Sequence, residues 1–173
     1  MAKTLVGIVM GSDSDLPVMK EAYDVLKELG IDSEVVISSA HRAPDATAAY
    51  ASEAAQRGLL VIIAGAGLAA HLPGVIAANT TLPVIGVPIK SGPLNGLDAL
   101  YSMVQMPPGV PVATVAINGA KNAGILAAQI IGANNAGIRG NIFAYKEKMN
   151  KTIQEKNASL AELGIDEYLR KNN

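Results

Sequence analysis

The sequence contains no cysteine and no tryptophan, and it has one phenylalanine and five tyrosines among 173 residues. The lack of cysteine excludes disulfide bonds, thiolate zinc sites and cysteine nucleophiles. With so few aromatic rings, a flavin or another large flat cofactor would find little to stack against. Chemistry that depends on a thiol or on a stacked cofactor is therefore disfavoured.

The charge balance does not favour binding to nucleic acid, and the hydrophobic runs are too short to favour a membrane protein. The 14 basic residues are balanced by 15 acidic ones, which leaves no basic surplus to neutralise phosphates along a duplex. The longest apolar stretch, Leu59 to Ala70, is well short of the roughly 18 residues that a membrane helix needs. The N-terminal run MAKTLVGIVM leads into Gly-Ser-Asp without a small-residue cleavage site, so it is typical of a first strand and not of a signal peptide. We expect a cytoplasmic protein.

Acidic residues are scarce in the middle of the chain, where Asp98 is the only one between Glu53 and Glu147. A solvated surface normally carries more charge, so we expect this region to lie in the core or to be covered by another subunit. Alanine and glycine are abundant instead, which predicts helices that pack closely through small side chains.

Short β-branched runs alternate with segments of helical spacing, a pattern typical of βαβ units and a parallel sheet. Several runs are apolar at nearly every residue, as expected for strands covered on both faces. The sequence predicts a single domain over 1–173. It comprises a three-layer αβα sandwich of flavodoxin-like type with about five parallel strands (1–132) and a helical C-terminal extension (133–173). The predicted strands are Thr4–Met10, Glu34–Ser38, Leu59–Ala64, Pro83–Val87 and Val112–Ile117.

Helices are predicted from apolar residues three and four positions apart and from boundary signals. The clearest one begins in the segment Ser-Asp-Leu-Pro and ends at Gly30. An alanine-rich helix is predicted from Pro44 to Gly58. Further helices are expected near Ala120–Ile131 and, in the charged tail, from about Asn141 to Arg170.

In such a sheet, ligands bind outside the carboxyl ends of the strands, where the strand order reverses. The turns after the first three strands, residues 11–15, 38–44 and 65–74, should therefore open on one edge. Both histidines, His41 and His71, lie in these turns. Because imidazole exchanges protons near neutral pH, the polar turn around His41 favours a catalytic role for it. His71 could equally be a helix-start residue that donates a hydrogen bond.

The first turn combines two serine hydroxyls with backbone N–H groups at a helix start, which suits a phosphate. Arg42 and Ser39 in the next turn could add a cationic fork and a further hydroxyl. A carboxylate beside a phosphate repels it. At least one of Asp13 and Asp15 is therefore expected to cap the helix or to accept hydrogen bonds from sugar hydroxyls. A simple helix cap and a surface arginine remain the alternatives.

The third turn, Gly65-Ala66-Gly67-Leu68-Ala69-Ala70, matches the dinucleotide fingerprint G-x-G-x-x-G/A. That fingerprint requires an acidic residue about 20 positions later for the ribose, and none follows before Asp98. Glycines that admit a close neighbour are the alternative. The chain also lacks a phosphate loop of nucleoside triphosphatases, a serine elbow and a zinc motif. What remains is acid–base chemistry on a small phosphorylated ligand, without a cofactor or a metal.

Several ordered motifs carry a family resemblance: Gly11-Ser-Asp-Ser-Asp15, Ser39-Ala-His-Arg42, Ala64-Gly-Ala-Gly67, Ala69-Ala-His-Leu-Pro-Gly74 and Val104-Gln-Met-Pro107 with Gly109-Val-Pro-Val-Ala-Thr114. Over about residues 4–132 the chain resembles the bacterial 5-(carboxyamino)imidazole ribonucleotide mutases of purine biosynthesis, in the AIR carboxylase family. The resemblance implies an isomerase that interconverts the N-carboxylated and C-carboxylated forms of aminoimidazole ribonucleotide. It also implies a homo-octamer that needs no metal, ATP or biotin.

Carried over by position, the resemblance implies that His41 is the general acid–base. Phosphate and ribose binding is implied for Ser12, Ser14, Asp15, Ser39 and Arg42. The third turn would form the wall around the imidazole and its carboxylate, through Gly67, Ala70, His71 and Leu72. An apolar enclosure for carbon dioxide is expected from residues 67–70 with Met106 and Pro107. Arginine at position 42 fits the mutases, since the related direct carboxylases tend to carry lysine there.

The chain departs from the family pattern at three places. Ala43 replaces a common threonine, Leu68 replaces a glycine and could narrow the pocket, and the loop 118–123 is one residue short. Two other functions stay open from the sequence. One is a flavodoxin-like binding module for a sugar phosphate without chemistry, and the other is a direct carboxylase that uses dissolved carbon dioxide.

Overall fold

The computed structural model describes residues 4–172, which form a five-stranded parallel sheet with helices on both faces. The strands are β1 (Val6–Met10), β2 (Ser33–Ile37), β3 (Val61–Ala66), β4 (Val84–Pro88) and β5 (Ala113–Thr114). The helices are α1 (Leu16–Glu28), α2 (Pro44–Arg57), α3 (Leu72–Ala78), α4 (Leu97–Val104), α5 (Ala120–Gly132) and α6 (Ala136–Asn172). The predicted αβα architecture with its C-terminal helix is confirmed.

The strand order β2-β1-β3-β4-β5 reverses direction at β1. The chain moves outward from β1 to β2 and then returns to place β3 on the other side of β1. Met10, at the end of β1, is in register with Ile37 of β2 and with Gly65 of β3, so the three strands end together. A crevice opens at the carboxyl edge at such a reversal, because the helices leave toward opposite faces.

Two apolar cores lie on opposite faces of the sheet. On one face, Ile8 and Met10 of β1 pack with α1, α5 and the beginning of α6. On the other, Val9 packs with Ile62 of β3 and with α2, α3 and α4. Strands β1, β3 and β4 are buried at every residue, as strands covered on both faces must be.

Helices α1 and α5 pack closely because α5 presents small residues. A Cβ at Gly124 would collide with Val25 of α1 and would lie 3.0 Å from the carbonyl oxygen of Ala22. The neighbouring positions on this face are fully buried alanines, namely Ala120, Ala123, Ala127 and Ala128. The predicted close packing through small side chains is confirmed.

Some boundaries differ from the prediction. Strand β3 runs on to Ala66, because Gly65 and Ala66 still pair with β4. Strand β5 is shorter than predicted, since it is an edge strand that pairs only with β4. The tail helix begins earlier, at Ala136, where Asn135 Oδ1 accepts a hydrogen bond of 3.1 Å from the backbone N–H of Ile138.

Two helices, α3 and α4, were not predicted. They have seven and eight residues, which is too short for a periodic pattern to stand out. Within residues 4–172, no helix combines the length and the apolar character needed to cross a membrane. In α6, Gly164 interrupts the helical backbone with φ 72° and ψ 168°.

Candidate active site

A cleft of about 450 Å³ opens at the carboxyl edge where β1, β2 and β3 end. It is lined by the β1 loop (11–15), the β2 loop (38–43) and the β3 loop (67–71), so the three predicted turns do open on one edge. The predicted site residues that line it are Ser12, Ser14, Asp15, Ser39, His41, Arg42, Gly67, His71 and Leu72. The structure therefore brings together all of them except Ala70.

Arg42 bridges the β1 and β2 loops. Its Nη2 donates a hydrogen bond of 2.8 Å to the carbonyl oxygen of Gly11, and its Nε donates one of 3.2 Å to Ser39 Oγ. Ser12 follows Gly11 directly in the β1 loop, and Ser14 comes two residues later. The guanidinium is thus fixed beside the serine hydroxyls, and its other N–H groups are available to an anion.

Asp15 is only 8% exposed. Burial raises the pKa of its carboxyl above 3.8, the charge of Asp13 raises it further, and hydrogen bonds from Ser14 and from the backbone of Ser12 oppose the rise. Asp15 occupies the N-cap position of α1, but its side chain makes no capping hydrogen bond. Of the two expected roles, capping is therefore not observed for Asp15, and its carboxylate can accept hydrogen bonds from a ligand.

The two histidines contact each other across the cleft. His41 Nε2 lies 2.9 Å from His71 Nδ1, and the ring planes are inclined by 75°. His71 Nδ1 also lies 2.9 Å from the carbonyl oxygen of Ala69. A carbonyl can only accept, so His71 Nδ1 carries the hydrogen, and His41 Nε2 accepts in this geometry. His71 thus orients His41, and its side chain makes no capping bond to α3.

The glycines of the third turn admit close neighbours. A Cβ at Gly65 would collide with Met19 of α1, and one at Gly67 would collide with the side chain of Ser91. Gly65 also lies inside β3, paired with Met10 and Val87. The first glycine of the apparent dinucleotide fingerprint is therefore a packing position in a strand and not a turn residue.

Leu68 adopts a positive φ of 54°, a region that side chains rarely occupy. Leu68 is 52% exposed, and its Cδ2 lies 2.6 Å from the position that a Cβ on Gly92 would take. Leu68 therefore lines the cleft and also joins the β3 loop to the segment after β4.

Three residues behave differently from the expectation for the cleft wall. Ala70 is 2% exposed and packs in the apolar core below the β3 loop, so its side chain is not available to a ligand. Met106 packs against Gly74 of α3. Within this chain, neither Met106 nor Pro107 is among the described residues that line the cleft.

Ser91, which follows β4, lines the cleft and was not singled out from the sequence. Among the described residues, its Oγ is the buried side-chain polar atom that has no hydrogen-bond partner. An unpaired buried hydroxyl costs about 1–3 kcal/mol, which makes Ser91 a further candidate for ligand contact. The signal that could have found it was the position of Ser91 at the carboxyl end of a buried strand beside β3.

The donor set of the cleft is suited to anions and hydroxyl groups. Over residues 4–172, no three His, Asp or Glu side chains converge as metal ligands would. The guanidinium, the serine hydroxyls, the buried carboxylate and the paired imidazoles can instead hold a phosphorylated sugar and move a proton beside it.

Fold and cleft together define a flavodoxin-like α/β protein whose crevice brings an arginine and several serine hydroxyls together with a pair of contacting histidines. The chain belongs to the AIR carboxylase family, whose model matches residues 5–152. It is 61% identical over 164 residues to N5-carboxyaminoimidazole ribonucleotide mutase of Thermotoga maritima, covering 95% of this chain and 96% of that protein.

Two further comparisons extend this result. Phosphoribosylaminoimidazole carboxylase of Saccharomyces cerevisiae is 53% identical, and the match covers 98% of this chain but 30% of the yeast protein. The crystal structure of Treponema denticola PurE superposes with a TM-score of 0.82 at 31% identity, covering 90% of this chain and 98% of that one. The family resemblance inferred from the sequence motifs is therefore confirmed.

Proposed function

We propose that this chain is a mutase that interconverts N5-carboxyaminoimidazole ribonucleotide and 4-carboxy-5-aminoimidazole ribonucleotide in purine biosynthesis. The observation that carries this proposal is the 2.9 Å contact of His41 with His71 in the same cleft as Arg42 and the serines of the β1 loop. The 61% identity to a protein of that name supports it.

The substrate is proposed to bind with its phosphate on Arg42, Ser39 and the serines Ser12 and Ser14. Asp15 then accepts hydrogen bonds from the ribose hydroxyls, since a carboxylate would repel the phosphate. The imidazole lies toward the β3 loop, against Gly67, His71 and Leu72. This orientation brings the reacting carbon and nitrogen next to His41.

The reaction exchanges one bond for another without net oxidation. His41, once protonated at Nε2 and so no longer accepting from His71, protonates the carbamate nitrogen, the N–C bond breaks, and carbon dioxide leaves. The ring carbon attacks the carbon dioxide to form the C–C bond, and His41 Nε2 removes the proton from that carbon. One proton is given and one is regained, so a single imidazole suffices.

Carbon dioxide must remain in the cleft between the two steps. The apolar part of the lining, from Ala66, Leu68, Ala69 and Leu72, suits this requirement because it offers no charge to retain water. Met106 lies away from the cleft in its own chain. The Met106 side chain expected in the wall of the cleft would therefore come from another copy of the chain. We propose assembly with other copies on this basis and a homo-octamer from the family resemblance alone. We propose a cytoplasmic location because the proposed substrates are charged phosphate esters.

The test is proton NMR of the purified protein with the carbamate substrate, in the presence of chelator and in the absence of ATP. We expect conversion to the C-carboxylated isomer. Consumption of the free amine with bicarbonate instead of the carbamate would identify a direct carboxylase. Binding of aminoimidazole ribonucleotide without conversion of either isomer would identify a binding module.

The variant His41→Asn tests the acid–base assignment. Asparagine retains hydrogen bonding but cannot exchange a proton near neutral pH, so turnover should fall by a factor of about 10² to 10⁴. The dissociation constant of aminoimidazole ribonucleotide, measured by calorimetry, should change little. A turnover number like that of the parent protein would refute the role of His41.

A further inference from the structure

The hydroxyl of Thr47 lies at the base of the β2 loop and contacts both ends of it. Thr47 is completely buried on the first turns of α2, and Ser38 is 8% exposed at the end of β2. Ser38 Oγ lies 2.7 Å from Thr47 Oγ1, which in turn donates a hydrogen bond of 3.0 Å to the carbonyl oxygen of Ala43. The carbonyl can only accept, so the bonds run from Ser38 to Thr47 and from Thr47 to Ala43.

This loop carries the two residues on which the chemistry depends. His41 and Arg42 lie between Ser38 and Ala43, where the bond from Arg42 to Gly11 and the contact of His41 with His71 hold the tip of the loop. The backbone N–H of Ser38 bonds to the carbonyl of Met10 at 2.8 Å, and the N–H of Ala43 bonds to that of Ser39 at 2.8 Å. One buried hydroxyl therefore joins the first and the last residue of a loop whose tip forms part of the cleft.

We call the two hydrogen bonds of the Thr47 hydroxyl, to Ser38 and to Ala43, the brace of the β2 loop. The beginning of α2 has little else to hold it, because it lacks a side-chain cap. The N-cap position is held by Ala43, whose side chain makes no capping hydrogen bond, whereas serine, threonine, aspartate or asparagine normally provides one. Pro44 fixes the first helical φ but donates no hydrogen bond. Thr47 does not replace that cap, because a cap accepts from N–H groups; its hydroxyl adds a second hydrogen bond to the carbonyl of Ala43, which already accepts one of 3.1 Å from the backbone N–H of Thr47.

We propose that Thr47, with Ser38, is a positioning residue that holds the β2 loop so that His41 and Arg42 face the cleft. Its effect on catalysis is indirect, since Thr47 is buried and does not line the cleft. A displacement of about 1 Å of a catalytic group costs up to about 10²-fold in rate, so loss of this brace should be measurable. The kinetic part of this proposal rests on the proposed mutase function.

Three variants separate the hydrogen bonds of the Thr47 hydroxyl from the packing of its side chain. Thr47→Val keeps the shape of the side chain and removes both hydrogen bonds, Thr47→Ser keeps the hydroxyl, and Ser38→Ala removes only the bond to Ser38. Tyr50→Phe is the matched control. The Tyr50 hydroxyl joins the same helix to the same strand through a 2.7 Å bond to Glu34, but it does so near the amino end of β2, away from the cleft.

We expect Thr47→Val to lower kcat/KM by a factor of about 10 to 10² and to accelerate hydrogen exchange at the amides of Arg42 and Ala43. Thr47→Ser should retain the parent values. Tyr50→Phe should lower Tm by a few degrees, roughly the shift that 1 kcal/mol produces in a chain of this size, without changing kcat/KM or loop exchange. For Ser38→Ala, both kcat/KM and the rate of loop exchange should lie between the values of the parent and those of Thr47→Val.

The proposal is overturned if Thr47→Val lowers Tm as Tyr50→Phe does while kcat/KM and loop exchange stay at the parent values. Should Thr47→Val not fold, the same comparison of Ser38→Ala with Tyr50→Phe decides. Amide exchange does not depend on turnover, so it tests the role of Thr47 independently of the proposed mutase function. A parent protein without isomerase activity refutes that function, whereas unchanged exchange in Thr47→Val and Ser38→Ala refutes the brace.

Discussion

The carboxyl of Asp15, which we propose binds the ribose, is buried at a cost to stability. Burial raises its pKa above 3.8 in the folded protein, so the folded state binds the proton more tightly than the unfolded state does. Ionisation of Asp15 therefore disfavours folding. That penalty is absent below the unfolded pKa, develops as pH rises from 3.8 through the raised folded pKa, and is complete at neutral pH.

Asp15→Asn removes this charge and should separate the two effects. At pH 7 the variant should be at least as stable as the parent, and its advantage should vanish as the pH falls toward 3.8. Its KM should rise, because an amide accepts hydrogen bonds from ribose hydroxyls less strongly than a carboxylate does. Urea unfolding at several pH values and steady-state kinetics check both. The free energy of unfolding of the variant minus that of the parent should be larger at pH 7 than at pH 4. A smaller difference at pH 7 would contradict a raised pKa for Asp15.

Leu68 combines a strained backbone with an apolar side chain at the cleft. A left-handed φ costs a side-chain-bearing residue of order 1 kcal/mol, so Leu68→Gly should raise the free energy of unfolding by about that amount. It should also open the cleft and let carbon dioxide escape. During turnover in labelled bicarbonate, the product of the variant should carry more label than that of the parent.

Leu68→Ala is the control for strain, because alanine removes the side chain but keeps the Cβ at positive φ. It should increase label exchange as glycine does, without the gain in stability. If neither variant exchanged more label than the parent, Leu68 would not contribute to retention of carbon dioxide.

Residue chemistry and strand topology predicted which loops converge, but not which side chains touch. His41 and His71 are 30 positions apart, and no local pattern relates their rings. The contact arises because β1 separates β2 from β3 by only one strand, so that the two loops face each other. The reversal at β1 predicts a site between the loops after β1, β2 and β3, and Ser91 lies outside these loops because it follows β4.

At the scale of elements, the sequence was most informative where burial is uniform. Strands β1 and β4 are apolar along their whole length because both faces are covered, and α1 and α2 have proline near their first residue. Helices α3 and α4 are too short to show a period. The predicted end of β3 lies too early, because a glycine after a strand usually indicates a turn. Gly65 instead stays in the strand and makes room for Met19.

At the scale of the whole molecule, the acid-poor middle of the chain has two structural explanations. Much of it is core, since β3, β4 and the inner face of α5 lie within this region. Another part is exposed and apolar. On α4, Leu97, Tyr101 and Val104 lie three and four residues apart, and each is about half exposed. A face of this kind is typical of a surface that another subunit covers.

Helix α6 presents the same feature over a longer distance. Its first turns bury Ile138 and Ile142 against α5. At 3.6 residues per turn, Met149, Ile153 and Leu160 continue the same helical face, but they are 50%, 56% and 38% exposed. The packing face therefore extends beyond the core of its own chain. A second copy of the chain is the partner that the acid-poor middle and the proposed octamer both favour.

Ile153→Glu tests this assembly, because a charge on a buried contact between copies is costly, whereas on a solvated helix it is tolerated. Gln154→Glu, on the neighbouring exposed position of α6, adds the same charge off the apolar face and serves as the control. By light scattering at micromolar concentration, the parent and the control should have about eight times the 17.8 kDa mass of one chain, and Ile153→Glu should be smaller. A parent protein that is a stable monomer would contradict assembly altogether, and an Ile153→Glu variant of unchanged mass would remove α6 from the interface.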